Sequence, residues 1–147
     1  MRVLFVCLGN ICRSPAAEAV FRAMAPDVAA DSAGTGNWHV GEPPYAPMQR
    51  AAEARGYDLA PLRVRQFTGA DFASFDLIIA MDADNVANIE RLRPAGDETP
   101  VRLFTDYAPE SGVSEVPDPY YTRDFDGTLT LIEACVRGLG AALNGAR

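Results

Sequence analysis

Lysine is absent from the 147 residues, so all thirteen basic side chains are arginine. That excludes a Walker-A phosphate loop and a Schiff-base nucleophile, both of which need the amine. His39 is the one histidine, which excludes a multi-histidine metal site within one chain. Cysteine is scarce too: Cys7, Cys12 and Cys135, with no CxxC pair. An odd count without that spacing argues against a disulfide scaffold and a zinc ribbon, and for a reducing, cytoplasmic setting. No metal and no cofactor are expected. A basic surplus is also missing, because 20 acidic residues against 13 basic ones leave a net charge of −7. General binding to nucleic acid or to an anionic membrane is therefore not expected, although one local positive pocket is compatible with that total. No apolar run approaches the roughly 20 residues of a membrane span. Met1–Gly9 has the faint outline of a signal peptide, but its VLFVC core is short and Asn10 and Arg13 follow at once, so it reads as a strand.

What is present is an ordinary globular composition, 48% hydrophobic and 22% charged, on a length that suits one domain over residues 1–147. The pattern alternates. Val3–Cys7 is an unbroken apolar run, as for a strand covered on both faces. Ser14 and Pro15 read as N-cap and first residue of a helix that carries Glu18 in its first turn and Ala16, Val20, Phe21 and Met24 on one face, ending before Pro26. Val28–Ser32 is a weaker strand, and Met48–Arg55 a helix stopped by Gly56. Asp76–Met81 is a strand, after which Asp82 opens a helix to about Leu92. Val101–Phe104 is a last short strand, and Thr122–Leu143 a long helix. Segments 34–47 and 105–121 read as long loops, of the kind that carry function in small domains. Alternation of this kind predicts an α/β fold, a four-stranded parallel sheet with helices on both faces, whose ligands bind beyond the carboxyl ends of the strands.

The first such place is the loop CLGNICRS, from Cys7 to Ser14. Its N–H groups lack strand or helix partners, and several can point into one concavity at a helix N-terminus, a nest for an oxyanion such as phosphate. Gly9 and Asn10 tolerate the left-handed backbone that such curling requires. Arg13 adds a planar fork for two oxygens. Cys7 stands under the helix dipole and beside Arg13, both of which favour its thiolate. A lone cysteine ending a strand is more often an apolar filler. The Gly-Asn, the arginine six residues on and the Ser-Pro helix start together point instead to a thiolate nucleophile facing a bound phosphate monoester.

CLGNICRSP after an apolar strand resembles the Cys-x5-Arg-Ser signature of the low-molecular-weight protein tyrosine phosphatases. The resemblance extends to Asp31-Ser32-Ala33-Gly34-Thr35, to Trp38-His39-Val40-Gly41, to Met81-Asp82 and to Asp118-Pro119-Tyr120-Tyr121, and covers almost the whole chain. It implies a flavodoxin-like three-layer sandwich and a phosphotyrosyl protein as substrate. It also implies that Cys7 forms a phosphocysteine, that Arg13 grips the transferring phosphoryl, and that Leu8, Gly9, Asn10, Ile11, Cys12 and Ser14 complete the binding loop. Ser14 would donate to the Cys7 sulfur as it leaves, and Asn10 would lock the loop through a hydrogen bond to Ser32. Asp118 would protonate the leaving phenolate and then activate water, although Asp-Pro alone is usually a plain turn. Trp38, Tyr120 and Tyr121 would wall the pocket. Cys12 is either a filler under the loop or the partner that traps an oxidised Cys7 as a reversible disulfide. Cys135 reads as core, His39 as a locally bonded loop residue, and Asp82 as a helix cap or as a partner that supports the site.

The chain departs from the family pattern twice. Tyr45-Ala46-Pro47 stands where many relatives carry an Asp and an Arg at the start of the next helix. The histidine that braces the loop in some eukaryotic relatives has no counterpart. Ile11 fits an aryl phosphate, whereas bacterial relatives selective for phosphoarginine tend to have threonine there. A thioredoxin-coupled arsenate reductase shares the fold and loop but needs further cysteines after the third strand, and residues 82–93 contain none. A non-catalytic phosphate-binding module would have no use for Cys7 and Asp118 together.

Overall fold

A computed structural model describes residues 1–145. Its four strands, β1 (Arg2–Cys7), β2 (Ala29–Gly34), β3 (Leu77–Ala80) and β4 (Val101–Leu103), form a fully parallel sheet in the order β2-β1-β3-β4. β1 lies between two neighbours, and its Val3–Val6 segment is completely buried. This explains the unbroken apolar run, since neither face of the strand meets water. Side chains alternate across the sheet. Val3, Phe5 and Cys7 face one core with helix α1 (Arg13–Met24) and helix α6 (Phe125–Gly145), while Leu4 and Val6 face a second core with Phe67, Phe72, Ile78 and Ile89. Phe5 packs between Phe21 at 5.4 Å and Phe104 at 5.3 Å, which ties the central strand to the first helix layer. The result is a flavodoxin-like three-layer α/β sandwich.

The strand order fixes where a ligand can bind. From β1 the chain crosses to β2 on one side, then to β3 on the other. The reversal opens a crevice at the carboxyl end of β1, and the loop from Cys7 to Arg13 lies there.

Several boundaries differ from the sequence reading, each for a physical reason. Helix α1 begins at Arg13 and its N-cap is Cys12, with no side-chain cap; Ser14 is inside the helix and its hydroxyl has other partners. Glu18 therefore lies beyond the first turn, and Met24 is exposed rather than core-facing. β2 runs two residues further than expected, to Gly34, because its end lies against the loop after β1. Helix α2 (Ala46–Glu53) starts earlier than expected, with Pro47 in its first turn. A short helix α3 (Asp71–Ser74) was not foreseen. Helix α4 (Ala83–Glu90) carries the expected Asp82 cap as a full capping box with Asn85. Segment 105–121 is not a bare loop: it contains most of one 3-10 turn, Phe104–Tyr107, and all of a second, Pro109–Ser111, and it leads into helix α5 (Pro119–Thr122). The last helix starts at Phe125, not Thr122, because Arg123 adopts a left-handed conformation (φ 63°) and Asp124 accepts from the Gly127 N–H at 2.9 Å.

Helix α6 crosses the first 3-10 turn closely at Gly138, where an added Cβ would lie 1.7 Å from the Tyr107 carbonyl oxygen. Backbone cannot yield as a flexible side chain would. Gly138→Ala is expected to cost about 1–3 kcal/mol by overpacking, read as a lower urea midpoint with unchanged slope.

Candidate active site

The loop after β1 is curled by its neighbours. The Cys7, Leu8 and Ile11 carbonyls accept from the N–H groups of Thr35 (2.9 Å), Gly36 (2.8 Å) and Tyr45 (2.8 Å) on the loop's outer side. Each peptide is trans, so its N–H points opposite to its carbonyl. The amides of Leu8, Gly9 and Cys12 are thereby turned toward the inside of the curl. Asn10 closes the bend with φ 56° and is almost fully buried. Gly34 makes room for it, since a Cβ there would lie 2.9 Å from the Leu8 oxygen and 3.0 Å from the Asn10 Cβ.

Asn10 is bonded at both ends, though not to Ser32. Its Nδ2 donates to Ser14 Oγ at 2.7 Å, and its Oδ1 accepts from the Arg65 N–H at 3.2 Å. Ser32 instead donates to Glu18 Oε1 at 2.7 Å, behind the loop. The expected Asn10–Ser32 bond is thus replaced, because the buried Glu18 carboxylate needs a donor and Ser32 is next to it. Burial pushes the Glu18 carboxyl above its ordinary range, although Ser32 and Arg22 both work to lower it. Arg65 is itself fixed: its guanidinium bridges Asp31 and the mostly buried Asp71. Nothing local in the sequence points to Arg65.

The Cys7 sulfur lies beneath this curl. The Asn10 N–H donates to it at 3.2 Å, and Ser14 Oγ is 3.0 Å away. Counting protons assigns the second bond. Ser14 Oγ already accepts from Asn10, and its own hydrogen has two possible acceptors, Cys7 Sγ at 3.0 Å or the Ala33 carbonyl at 3.4 Å. The nearer acceptor is the sulfur, so two donors converge on it when it is anionic. The Ser14 hydroxyl is thus used at the site rather than as a cap, which leaves the first-turn amides of α1 without side-chain partners.

Arg13 is buried, with 3% of its side chain exposed. Its Nη1 donates to Asp82 Oδ2 at 2.7 Å and to the Val116 carbonyl at 3.0 Å, and its Nη2 reaches Asp118 Oδ2 at 3.4 Å. By count, Nε–H and one Nη2–H remain on one edge of the guanidinium, the pair that spans two oxygens. Burial alone would lower the Arg13 pKa, but Cys7, Asp82 and Asp118 outweigh it and raise it. Asp82 has two functions at once: Oδ1 caps α4 through the Asn85 N–H at 2.7 Å while Oδ2 holds Arg13. Both readings of Asp82 in the sequence, a helix cap and a partner for the site, hold together here. Asp118 caps α5, accepting from the Tyr120 N–H at 3.0 Å, and its other oxygen faces Arg13.

Arg13 and Asp118 share with Cys7 one cleft of about 250 Å³. Cys7, Cys12 and Arg13 line it together with Leu8, Gly9 and Ile11. Asp118, Tyr120 and Tyr121 line it from the late loop, and Trp38 and His39 from the loop after β2. Asn10, Ser14 and Ser32 lie outside the lining and act from behind it. Trp38 and Tyr121 are 68% and 72% exposed, so they stand at the mouth rather than in the core. The Trp38 ring lies across Gly36, where a Cβ would be 2.0 Å from it. His39 makes the local bond expected of it, Nδ1 to Glu42 at 2.7 Å. Cys12 is buried in the cleft wall, and burial, then Cys7 and Asp118, push its thiol well above the ordinary cysteine range. Cys135 is in the core, as read, with burial raising its thiol to about 12. Among the described residues, no three His, Cys, Asp or Glu side chains are grouped to hold a metal ion, and no helix is long and apolar enough to cross a membrane.

Comparison with known proteins agrees with this geometry. The chain is 40% identical over 147 residues to the low molecular weight protein-tyrosine-phosphatase YfkJ of Bacillus subtilis, covering 96% of this chain and 94% of the relative. The crystal structure of YfkJ superposes with a TM-score of 0.94, covering 100% of this chain and 96% of that one. A low molecular weight protein-tyrosine-phosphatase of Streptomyces coelicolor is 46% identical over 153 residues, covering 97% and 93% of the two chains. Vibrio vulnificus Wzb, solved in complex with benzylphosphonate, superposes with a TM-score of 0.84 at 25% identity, covering 96% and 97%. The family model described as low molecular weight phosphotyrosine protein phosphatase matches residues 2–147. With its cysteine, arginine and aspartate gathered at one crevice, this chain belongs to the low molecular weight protein-tyrosine phosphatase family.

Proposed function

We propose that this protein hydrolyses aryl phosphate monoesters, phosphotyrosine in proteins above all, in two steps through a phosphocysteine on Cys7. The observation that carries the reading is the convergence of two donors on the Cys7 sulfur within a ring of inward-facing amides, with Arg13 and Asp118 lining the same cleft.

In the first step the Cys7 sulfur attacks phosphorus and the aryl oxygen leaves. The amides of Leu8, Gly9 and Cys12 and the free edge of Arg13 hold the phosphoryl oxygens, where positioning and charge supply most of the rate. Asp118 gives its proton to the leaving phenolate. In the second step its carboxylate takes a proton from the attacking water, and Cys7 departs as a thiolate onto the Ser14 hydroxyl and the Asn10 N–H. Trp38, Tyr120 and Tyr121 form a slot for a flat ring, and Ile11 offers it an apolar edge. Benzylphosphonate, bound by the Vibrio relative, supports the aryl specificity. No metal or cofactor, nucleic acid or membrane enters this scheme. Three free cysteines agree with a cytoplasmic setting. Cys12 lines the same cleft as Cys7 and is either an apolar filler under the loop or, once a peroxide has oxidised the Cys7 thiolate to a sulfenic acid and been reduced in doing so, the thiol that condenses with it to a disulfide with loss of water. An arsenate reductase would need a pair of further cysteines on the segment after β3, where residues 82–93 contain none, and Cys135 is buried in the core.

The scheme predicts hydrolysis of p-nitrophenyl phosphate that is unaffected by a chelator and blocked by vanadate or iodoacetate. Asp118→Ala tests the acid. Its loss of kcat/KM, which reports the step that expels the leaving group, should reach roughly 10²–10⁴-fold with phosphotyrosine, whose phenolate needs protonation, and be smaller with p-nitrophenyl phosphate. Equal losses on the two substrates remove Asp118 from that role. Faster turnover of phosphoarginine than of phosphotyrosine would overturn the aryl specificity.

A further inference from the structure

Tyr45 occupies a helix N-cap position and makes no side-chain cap. Its backbone instead belongs to the signature loop, since its N–H donates to the Ile11 carbonyl at 2.8 Å. Its side chain belongs to the late loop. The ring lies 5.2 Å from Tyr120, tilted by 53°, and 6.1 Å from Phe125. Its hydroxyl accepts from Arg123 Nη1 at 3.1 Å. The Arg123 guanidinium sits 5.4 Å from the Tyr45 ring and 5.1 Å from the Phe125 ring. One residue therefore joins the loop that holds phosphate to the turn that holds the acid.

We propose that Tyr45 is a positioning residue for Asp118, a proposal that rests on the acid role given to Asp118 above. The turn it grips begins at Asp118 and closes on itself: Asp118 Oδ1 accepts from the Tyr120 N–H, the Asp118 carbonyl from Thr122, and the Pro119 carbonyl from Arg123. Upstream, the turn is pinned by Val116, whose N–H donates to Met81 and whose carbonyl accepts from Arg13. Downstream, Tyr45 holds Tyr120 by its face and Arg123 by its hydroxyl. The direct Arg13–Asp118 contact is long, at 3.4 Å, and cannot by itself fix the carboxyl. Arg123 is also, among the described residues, one of two non-glycine residues with positive φ, a strained conformation that its contacts with Tyr45 and Phe125 offset. Tyr45 is a stiff anchor, because Pro43 and Pro44 precede it, Pro47 follows, and Gln49 Nε2 donates to the Pro44 carbonyl at 2.7 Å.

A catalytic group displaced by about 1 Å can lose roughly 10²-fold in rate, and the loss falls on the step that group serves. Tyr45→Leu keeps bulk and removes both the ring face and the hydroxyl. It is expected to lower kcat/KM for phenyl phosphate, which reports the step that expels the leaving group, by about 10-fold to 10²-fold, with a distinctly smaller loss for p-nitrophenyl phosphate. In an Asp118→Ala background the same substitution should add no further leaving-group dependence. Arg123→Met, at an exposed position, removes the other side of the clamp without touching the core. It should show the same selective loss, and it decides the matter if Tyr45→Leu does not fold. Equal losses on the two substrates, in whichever variants fold, overturn the proposal. Selectivity in Asp118→Ala without selectivity in the clamp variants removes Tyr45 alone. Absence of selectivity in Asp118→Ala removes the acid role beneath it.

Discussion

Cys7→Ser should lose at least about 10⁴-fold in turnover of p-nitrophenyl phosphate while still binding inorganic phosphate. The two properties separate because they rest on different atoms. In the proposed scheme phosphate is held by loop amides and Arg13, and none of these contacts involves the sulfur. The replacement is nearly isosteric at an almost fully buried position, and a serine hydroxyl can accept from the Asn10 N–H as the sulfur does. What is lost is the nucleophile. A hydroxyl is scarcely ionised near neutrality, and the two donors that suit a large anionic sulfur do not remove that difference. Stopped assays give the turnover, and calorimetric titration with phosphate gives the binding. Retention of more than about a hundredth of the wild-type rate would assign attack on phosphorus to another group.

The second large effect is expected at Arg13. Arg13→Lys keeps the charge and removes the planar fork, so it isolates geometry from electrostatics. An ammonium can replace the ion pair with Asp82, but it cannot at the same time reach Val116, Asp118 and two phosphoryl oxygens. Loss of one such stabilising donor set is expected to lower kcat by about 10²–10³-fold. The same substitution leaves the Val116 carbonyl without its partner, and an unpaired buried acceptor costs about 1–3 kcal/mol. A lower urea midpoint should therefore accompany the rate loss. A change of less than about tenfold in kcat would mean that the loop amides alone carry the phosphoryl charge.

The parts of this fold that the sequence made legible are those written in local pattern. β1 and β3 are apolar without interruption because both faces are covered, and that is visible residue by residue. The Cys7–Ser14 loop was legible because thiol, glycine, asparagine and arginine each have few uses at those positions. Asp82 announced its cap by standing at a strand end before a helix. What escaped depends on partners far along the chain. Ser14 looks like a cap in its local pattern; its contact with Cys7 came only from the family resemblance, and its bond from Asn10 shows only in the fold. The Ser32 hydroxyl lies beside two candidate structures, the loop and α1, and the buried Glu18 takes it. Arg65 and Tyr45 lie in segments with no periodicity, yet both hold the signature loop through backbone hydrogen bonds. The 3-10 turns after β4 are too short, at four and three residues, to build a repeat that a reader could detect.

The central claim is a covalent bond between Cys7 and phosphorus. Rapid acid quench during steady turnover of p-nitrophenyl phosphate, followed by peptide mass spectrometry, looks for that bond directly. The account predicts a phosphoryl group on the peptide that contains Cys7, on sulfur, and its absence in Cys7→Ser. A reaction that turns over normally with no phosphorylated peptide at any quench time, or with the phosphoryl group on another side chain, would contradict it.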